Sequence, residues 1–334
     1  MPIRTLAVFA LSATSCLGLN APTTAQDKTP TPTPAQQAKT AMDTLGAATG
    51  RPDSTSGSFT GTLDLAAIEQ PGGTFPFRGT YRSQMILDGT GRLTVVTSMG
   101  QNTLNYLGYR TDTRQYYSIS MDAQESALAY AAGTLTGPKT LTLTDPITGV
   151  SSATEFTDTG DTATVRVPPK NAVMMTIEST ASTTPGGDVL EELLSTTVIP
   201  AANVRTASPE ALALRKLAGD FTDGKGDQVR ARTVGNGKYV LTQFSGDDTL
   251  SFITYNPETK LFQMFMLQAE RPAPLYLQGP LTAEGAIEFA DPFTPGDQQM
   301  KATISFEPSG VINVVSAVGS RVGRTTIWTP KRTN

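Results

Sequence analysis

The segment 103–146, TLNYLGYRTDTRQYYSISMDAQESALAYAAGTLTGPKTLTLTDP, recurs without a gap at 249–292 as TLSFITYNPETKLFQMFMLQAERPAPLYLQGPLTAEGAIEFADP. Twelve of the 44 pairs are identical, where unrelated positions match at roughly one in seventeen at average residue usage. The identities include Tyr109/Tyr255, Tyr130/Tyr276, Gly133/Gly279 and Asp145/Asp291, and conservative pairs include Tyr106/Phe252, Arg114/Lys260 and Leu141/Ile287. The same register, 146 residues, runs upstream through Gly100/Gly246 to Gly91/Gly237. Phe59 pairs with Phe221 at 162 residues, so the first copy has a longer entry loop, which carries Phe75, Phe77 and Arg78. A chain patterned in this way holds two copies of one domain.

The domain is built from strands. In the first copy, residues 58–65, 74–87, 92–98, 103–109, 115–122, 126–135, 141–144, 153–157, 162–167 and 172–179 are rich in β-branched and aromatic residues. Turn residues separate them, as in DGTG at 88–91 and Gly160-Asp161. The run LTLT at 141–144 alternates apolar and polar side chains, the mark of a half-buried strand. In the second copy, 220–223, 228–233, 237–244, the repeated segment, 300–306, 311–318 and 325–330 read the same way. Strands every ten to twelve residues with almost no helical period predict an antiparallel sandwich or barrel. Helical patterns lie outside the copies. Residues 36–45 look like a short helix before Gly46, and 188–194, DVLEELL, like another. A third starts at Ser208-Pro209-Glu210, with a capping hydroxyl, proline at the first position and an early acid, and runs to Leu217.

The N-terminus reads as an export signal. One positive residue, Arg4, precedes an uncharged apolar run over 5–19 and small residues at 23–25. That run is too short to span a bilayer comfortably, and no later segment resembles a transmembrane helix. Cys16, the sole cysteine, lies in ATSC, a loose match to a lipobox that lacks the large aliphatic residue three positions earlier, so a lipid anchor at Cys16 is the lesser reading. Residues 26–55 open with the run KTPTPTP, which favours polyproline II and builds no core. The expected organisation is a signal peptide over 1–25, a disordered Pro/Thr-rich leader over 26–55, copy one over 56–182, a helical linker over 183–218 and copy two over 219–334.

Several short motifs resemble an uncharacterised bacterial family, domain of unknown function 1579. In copy one these are GSFTG at 57–61, MILDG at 85–89, LGY at 107–109, the strand 117–122, GTLT at 133–136 and TDPITG at 144–149. In copy two they are LAGDF at 217–221, TYNPET at 254–259 and Asp291-Pro292. The resemblance covers most of the chain beyond residue 55 and implies small calycin-like, up-and-down barrels in tandem. The family aromatic before Asp122 is Met121 here, and copy two has Leu267-Gln268 there with a shortened first hairpin. These departures lead us to expect any shared site in copy one. The family has no established activity to carry over.

What is missing from the chain limits its chemistry. It has no histidine and, once a leader is removed, no cysteine, so tetrahedral zinc, copper and axial haem ligation lose their usual donors. Catalysis through a histidine base is excluded. No phosphate-cradling glycine loop, nucleophile elbow or S-x-x-K motif stands at a strand–helix junction, and we expect no cofactor. Net charge is -4, which gives no electrostatic footprint for nucleic acid. Asp220, Asp223 and Asp227 cluster around Gly224 and Gly226 but do not fit a calcium-binding loop, and Asp247-Asp248 is no more specific. Turn acids are the plainer reading of both. Asp122 and Glu125 are the nearest carboxylate pair for acid–base work, but copy two has Gln268 and Arg271 in their places.

A binding role fits better. Residues alternate between lumen and solvent along a barrel strand, and pairing the copies selects Leu104, Tyr106, Tyr130, Leu141 and Leu143, with Leu250, Phe252, Tyr276, Ile287 and Phe289, as candidate lumen-lining residues. The strands 261–267 and 311–318 are apolar on both faces, so their outer faces, with Met264 and Met266 on the first, are expected to pack on the other copy or a partner. The leading reading is an exported, periplasmic or secreted protein that holds an apolar small molecule in a barrel. The alternatives are a non-enzymatic structural or interaction module of the envelope with filled barrels, and a carboxylate-dependent enzyme.

Overall fold

The structure, a computed structural model, describes residues 31–122, 128–182, 184–196, 208–246, 248–294 and 296–331. The signal-peptide and lipid-anchor expectations, and Glu125, fall outside them. The fold is all-β: two closed ten-stranded barrels in tandem, each strand pairing with its neighbours in sequence and the last with the first. Barrel one comprises β1 (Ser54–Asp64), β2 (Thr74–Ile86), β3 (Gly91–Ser98), β4 (Gln101–Arg110) and β5 (Gln115–Asp122), then β6 (Leu128–Gly137), β7 (Thr140–Thr144), β8 (Ser151–Phe156), β9 (Gly160–Val167) and β10 (Ala172–Ala181). Barrel two comprises β11 (Gly219–Thr222), β12 (Gln228–Val234), β13 (Tyr239–Phe244), β14 (Thr249–Asn256) and β15 (Leu261–Gln268), then β16 (Leu275–Gly279), β17 (Ile287–Ala290), β18 (Met300–Phe306), β19 (Ile312–Val318) and β20 (Arg321–Pro330). All pairings are antiparallel, and closure by β1–β10 and by β11–β20 leaves no sheet edge to protect.

Each barrel is stoppered at one end by a helix that leads into its first strand. Ahead of β1 comes α1 (Pro34–Thr49), opened by a reciprocal capping box between Thr33 and Gln36 and closed by Gly50 in the left-handed conformation. Its Met42 and Leu45 pack with Tyr116, Leu141, Leu143 and Phe156 inside barrel one, and the Tyr116 hydroxyl donates to the Ala41 carbonyl at 2.8 Å. Ahead of β11 comes α3 (Pro209–Leu217), capped by Ser208 as its sequence predicts. Its Leu214 and Leu217 pack with Phe221, Phe262, Ile287 and Phe289 inside barrel two. The spacing of Met42 and Leu45 is that of Leu214 and Leu217, so one repeat is a helix followed by ten strands.

This revises the expected boundaries at two points. The leader is not disordered over its second half, because the capping box and three buried side chains, Ala38, Met42 and Leu45, fix α1 on the barrel. The helix at 209–217 is the stopper of copy two as well as part of a linker. Between the copies, α2 (Val189–Leu194) buries Val189 and Leu194 in the seam. Its Glu192 pairs with Arg82 of β2 at 2.7 Å, and its Glu191 pairs bidentately with Arg230 of β12 at 2.7 and 2.8 Å.

The barrels meet along β3–β6 and β13–β16. Leu93/Tyr239, Val95/Leu241, Leu104/Leu250, Tyr106/Phe252, Ile119/Phe265, Met121/Leu267 and Tyr130/Tyr276 all lie in one buried cluster spanning both barrels, every pair related by the 146-residue register seen in the sequence. The contact is therefore isologous, like that of a twofold dimer within one chain. A run of neighbouring rings crosses it: Tyr106–Tyr117 at 5.8 Å, Tyr117–Tyr130 at 6.1 Å, Tyr130–Phe265 at 6.2 Å and nearly parallel, and Phe265–Tyr276 at 4.9 Å. At its rims the Thr111 amide donates to the Pro272 carbonyl (2.8 Å) and the Asn236 side chain to that of Gln101 (3.0 Å).

Candidate ligand cavity

The alternation that makes a barrel strand also decides which of its side chains meet a ligand. On β14, Thr249, Ser251 and Ile253 point into barrel two, whereas Leu250 and Phe252 point out to the seam. On β15, Met264 and Met266 point in, and Phe265 and Leu267 out. The inward set surrounds a cavity of about 330 Å³. Its walls are apolar in the main, with Val229, Ile253, Met264, Leu277, Ile304 and Trp328 among them. Leu217 and the rest of the α3 face close one end. At the other end the mouth is charged, with Lys225, Arg271, Lys301 and Arg324 facing Asp223 and Asp227.

Trp328, on β20, is the only tryptophan in the chain and is buried on the cavity wall, where its indole N–H has no partner. Phe221 and Phe244 hold the ring in place, with centroids at 5.9 and 5.4 Å. The Thr242 hydroxyl is also buried without a partner, and Thr242 is paired in register with Ser251 of the cavity wall. A buried donor left unmade costs about 1–3 kcal/mol. The cavity wall thus combines apolar volume with a residue whose N–H is buried and unanswered.

The stoppered end of barrel one is filled, as that of barrel two is by Phe262, Ile287 and Phe289. In barrel one, Tyr116, Leu141, Leu143 and Phe156 fill it against α1. Beside them Arg51 pairs with Asp161, which also accepts from the Ser179 hydroxyl, and the Arg51 guanidinium lies 5.4 Å from the centre of the Tyr81 ring.

The ten candidate lumen residues divide. Leu141 and Leu143 lie inside barrel one, and Ile287 and Phe289 inside barrel two. Leu104, Tyr106, Tyr130, Leu250, Phe252 and Tyr276 instead face the seam. The physical reason is that two joined barrels bury two apolar faces, and period-2 alternation marks both alike. β15 does pack on the other copy, but through Phe265 and Leu267, whereas Met264 and Met266, expected at that contact, alternate to the lumen. The other strand with two apolar faces, β19, puts Ile312 into barrel two's core and keeps Val315 and Ala317 only half-buried. The cavity lies in copy two, the copy whose departures from the family pattern pointed away from it.

The carboxylate candidates acquire structural roles where they are described. Asp223 accepts from the amides of Lys225 (2.8 Å) and Asp227 (2.9 Å), which shapes the β11–β12 turn. Asp220 binds the Arg232 guanidinium with both oxygens, at 2.8 and 3.0 Å. Asp247 and the Asp122 side chain lie outside the described residues. Gln268 and Arg271, which stand in copy two where Asp122 and Glu125 stand in copy one, are at the cavity mouth, where the Gln268 amide donates to the Thr249 hydroxyl at 2.8 Å. Sequence reasoning passed over Trp328. The signal available was a lone tryptophan at an inward position of the closing strand.

No protein-family model matches the chain, and no characterised protein matches it in sequence. Among solved structures it is similar to transferrin binding protein B. A point mutant from Haemophilus parasuis Hp5 matches at 8% identity, covering 82% of this chain and 74% of that one, with a TM-score of 0.17. The isotype 1 protein from serogroup B Neisseria meningitidis matches at 7% identity, covering 84% and 76%, with a TM-score of 0.19. Overlap this loose transfers neither partner nor site. No described helix is long and apolar enough to cross a membrane.

Proposed function

We propose that this protein is an exported binder that holds one apolar small molecule in the lumen of barrel two, while barrel one serves as a filled scaffold. The observation that carries this reading is the 330 Å³ cavity with the partnerless Trp328 N–H on its wall. Cavities of roughly 300–1,000 Å³, mostly apolar with a few placed polar groups, are the usual form of small-molecule sites. The N–H calls for a ligand bearing a hydrogen-bond acceptor, such as a carbonyl, ester or ether oxygen, within an apolar body. The charged mouth leaves a polar end of the ligand in water and closes the lumen to bare hydrocarbon less well than a helix would.

The export part rests on the apolar N-terminal run and the small residues at 23–25. The two copies are taken as members of the family they resemble, which contributes no ligand because it has no established activity. The test is native mass spectrometry of the protein purified from its own envelope fraction without detergent. A reproducible added mass, lost on organic extraction, supports the reading and identifies the ligand. A clean unliganded mass together with no uptake of apolar dyes overturns it in favour of an interaction module.

A further inference from the structure

A second space lies between the barrels. On the α3 side of the seam a cleft of about 470 Å³ is walled by Val95 and Leu104 of barrel one, Leu193 of α2 and Val234 of barrel two. Where α1 meets the seam, Ala38 lies beside Tyr106 and Tyr109 and only about 10 Å³ remains.

One charged side chain, Arg215 from the last turn of α3, is among the described residues lining the cleft. Its Nη1 is buried and has no hydrogen-bond partner, and no ion pair of Arg215 occurs among the described residues. A guanidinium stays charged at any pH the protein survives, and leaving one of its donors buried and unmatched is costly. Three neighbouring arginines each have an acid partner, Arg82 with Glu192, Arg230 with Glu191 and Arg232 with Asp220, although the Nε of Arg232 is itself buried without a partner. Two amide side chains, Asn102 and Asn236, supply polar rims, and the Asn236–Gln101 bond ties the cleft to both barrels.

We infer that this cleft is a second binding site, distinct from the lumen, for a small amphipathic carboxylate. The carboxylate would pair with the Arg215 guanidinium, and the apolar body would lie on Val95, Leu104, Leu193 and Val234. A single cation in apolar surroundings suits a monoanion better than a phosphate dianion. The site would require both barrels, since its walls come from each.

The test is calorimetric titration of the full chain with octanoate, with the lumen first saturated with 2-octanone so that only the cleft is read. One equivalent of octanoate is expected to bind, at least tenfold more weakly in Arg215→Gln and with intermediate affinity in Arg215→Lys. Octanol should not replace octanoate, and Trp328 emission should not move on octanoate addition. Should Arg215→Gln fail to fold, Thr196→Phe at the exposed rim narrows the cleft with Arg215 in place, and the same loss is expected there. Equal octanoate affinity in wild type and Arg215→Gln, or no octanoate binding to wild type, overturns the proposal. If the lumen takes no 2-octanone, the octanoate titration with Arg215→Gln still reads the cleft by itself.

Discussion

At the scale of single residues, Trp328 carries the most testable chemistry. Replacing it with Phe keeps the apolar wall and removes the unmatched donor. Trp328→Phe is therefore expected to leave stability unchanged or raise it by about 1 kcal/mol, measured by urea denaturation, while ligands with an acceptor oxygen lose affinity and purely apolar ones do not. A second residue-scale prediction concerns alkaline pH. Burial pushes the phenols of Tyr106, Tyr117 and Tyr130 upward, and pushes Tyr276 up to about 12 against the partial opposition of its bond with Gln263. An unfolded tyrosine ionises near pH 10. Above that the unfolded state sheds protons that the folded seam retains, so stability is fully present below about pH 10 and falls as pH rises towards 12. Tyr276→Phe should reduce the slope of Tm against pH in that window, and an unchanged slope would count against burial as the cause. Sequence alternation alone found Leu141, Leu143, Ile287 and Phe289 inside the barrels, but it could not separate them from Tyr130 and Tyr276. Two copies that touch repeat the side chains with which they touch, so a pairing of copies selects the seam as readily as the lumen.

Among the elements, a helix closes one end of each barrel in the same way. Leu45 of α1 and Leu217 of α3 are both buried, at 4% and 0% exposure, in equivalent places. Leu45→Ala and Leu217→Ala are each expected to cost about 2–5 kcal/mol, seen as a lower urea midpoint at unchanged m-value. An effect below 0.5 kcal/mol at Leu45 would mean that α1 does not stopper barrel one. The ten strands of copy one and the chain order of copy two were legible because their turns carry glycine and aspartate at regular intervals. α3 was legible to the residue through Ser208 and Pro209. α1 was half hidden: the Thr-Pro run before it reads as unstructured, although Thr33 and Gln36, at the start of the helix, hold the capping box. Its docking could not be read at all, because nothing local tells a helix which barrel end it will cover.

For the whole molecule, the tandem repeat is best understood as an internal twofold dimer whose symmetry is broken at the cavity of barrel two and at the seam cleft. The seam should be the point at which the barrels can be uncoupled. Phe265→Asp places a charge against Tyr130 and Tyr276, and is expected to split urea unfolding into two transitions and raise the radius of gyration in X-ray scattering. Met264→Asp, one residue away but lumen-facing, should leave the barrels together and alter the cavity instead. A single transition for both variants would contradict the division of faces on β15. The lumen of barrel two is tested most directly by a titration of Trp328 emission with 2-octanone. The chain has no other tryptophan, so the signal reports that wall alone. We predict a saturable change at one equivalent, absent in Ser251→Phe, where a ring from β14 occupies the cavity. No change up to the solubility limit of the ketone, or the same change in Ser251→Phe, would contradict a ligand-holding barrel two.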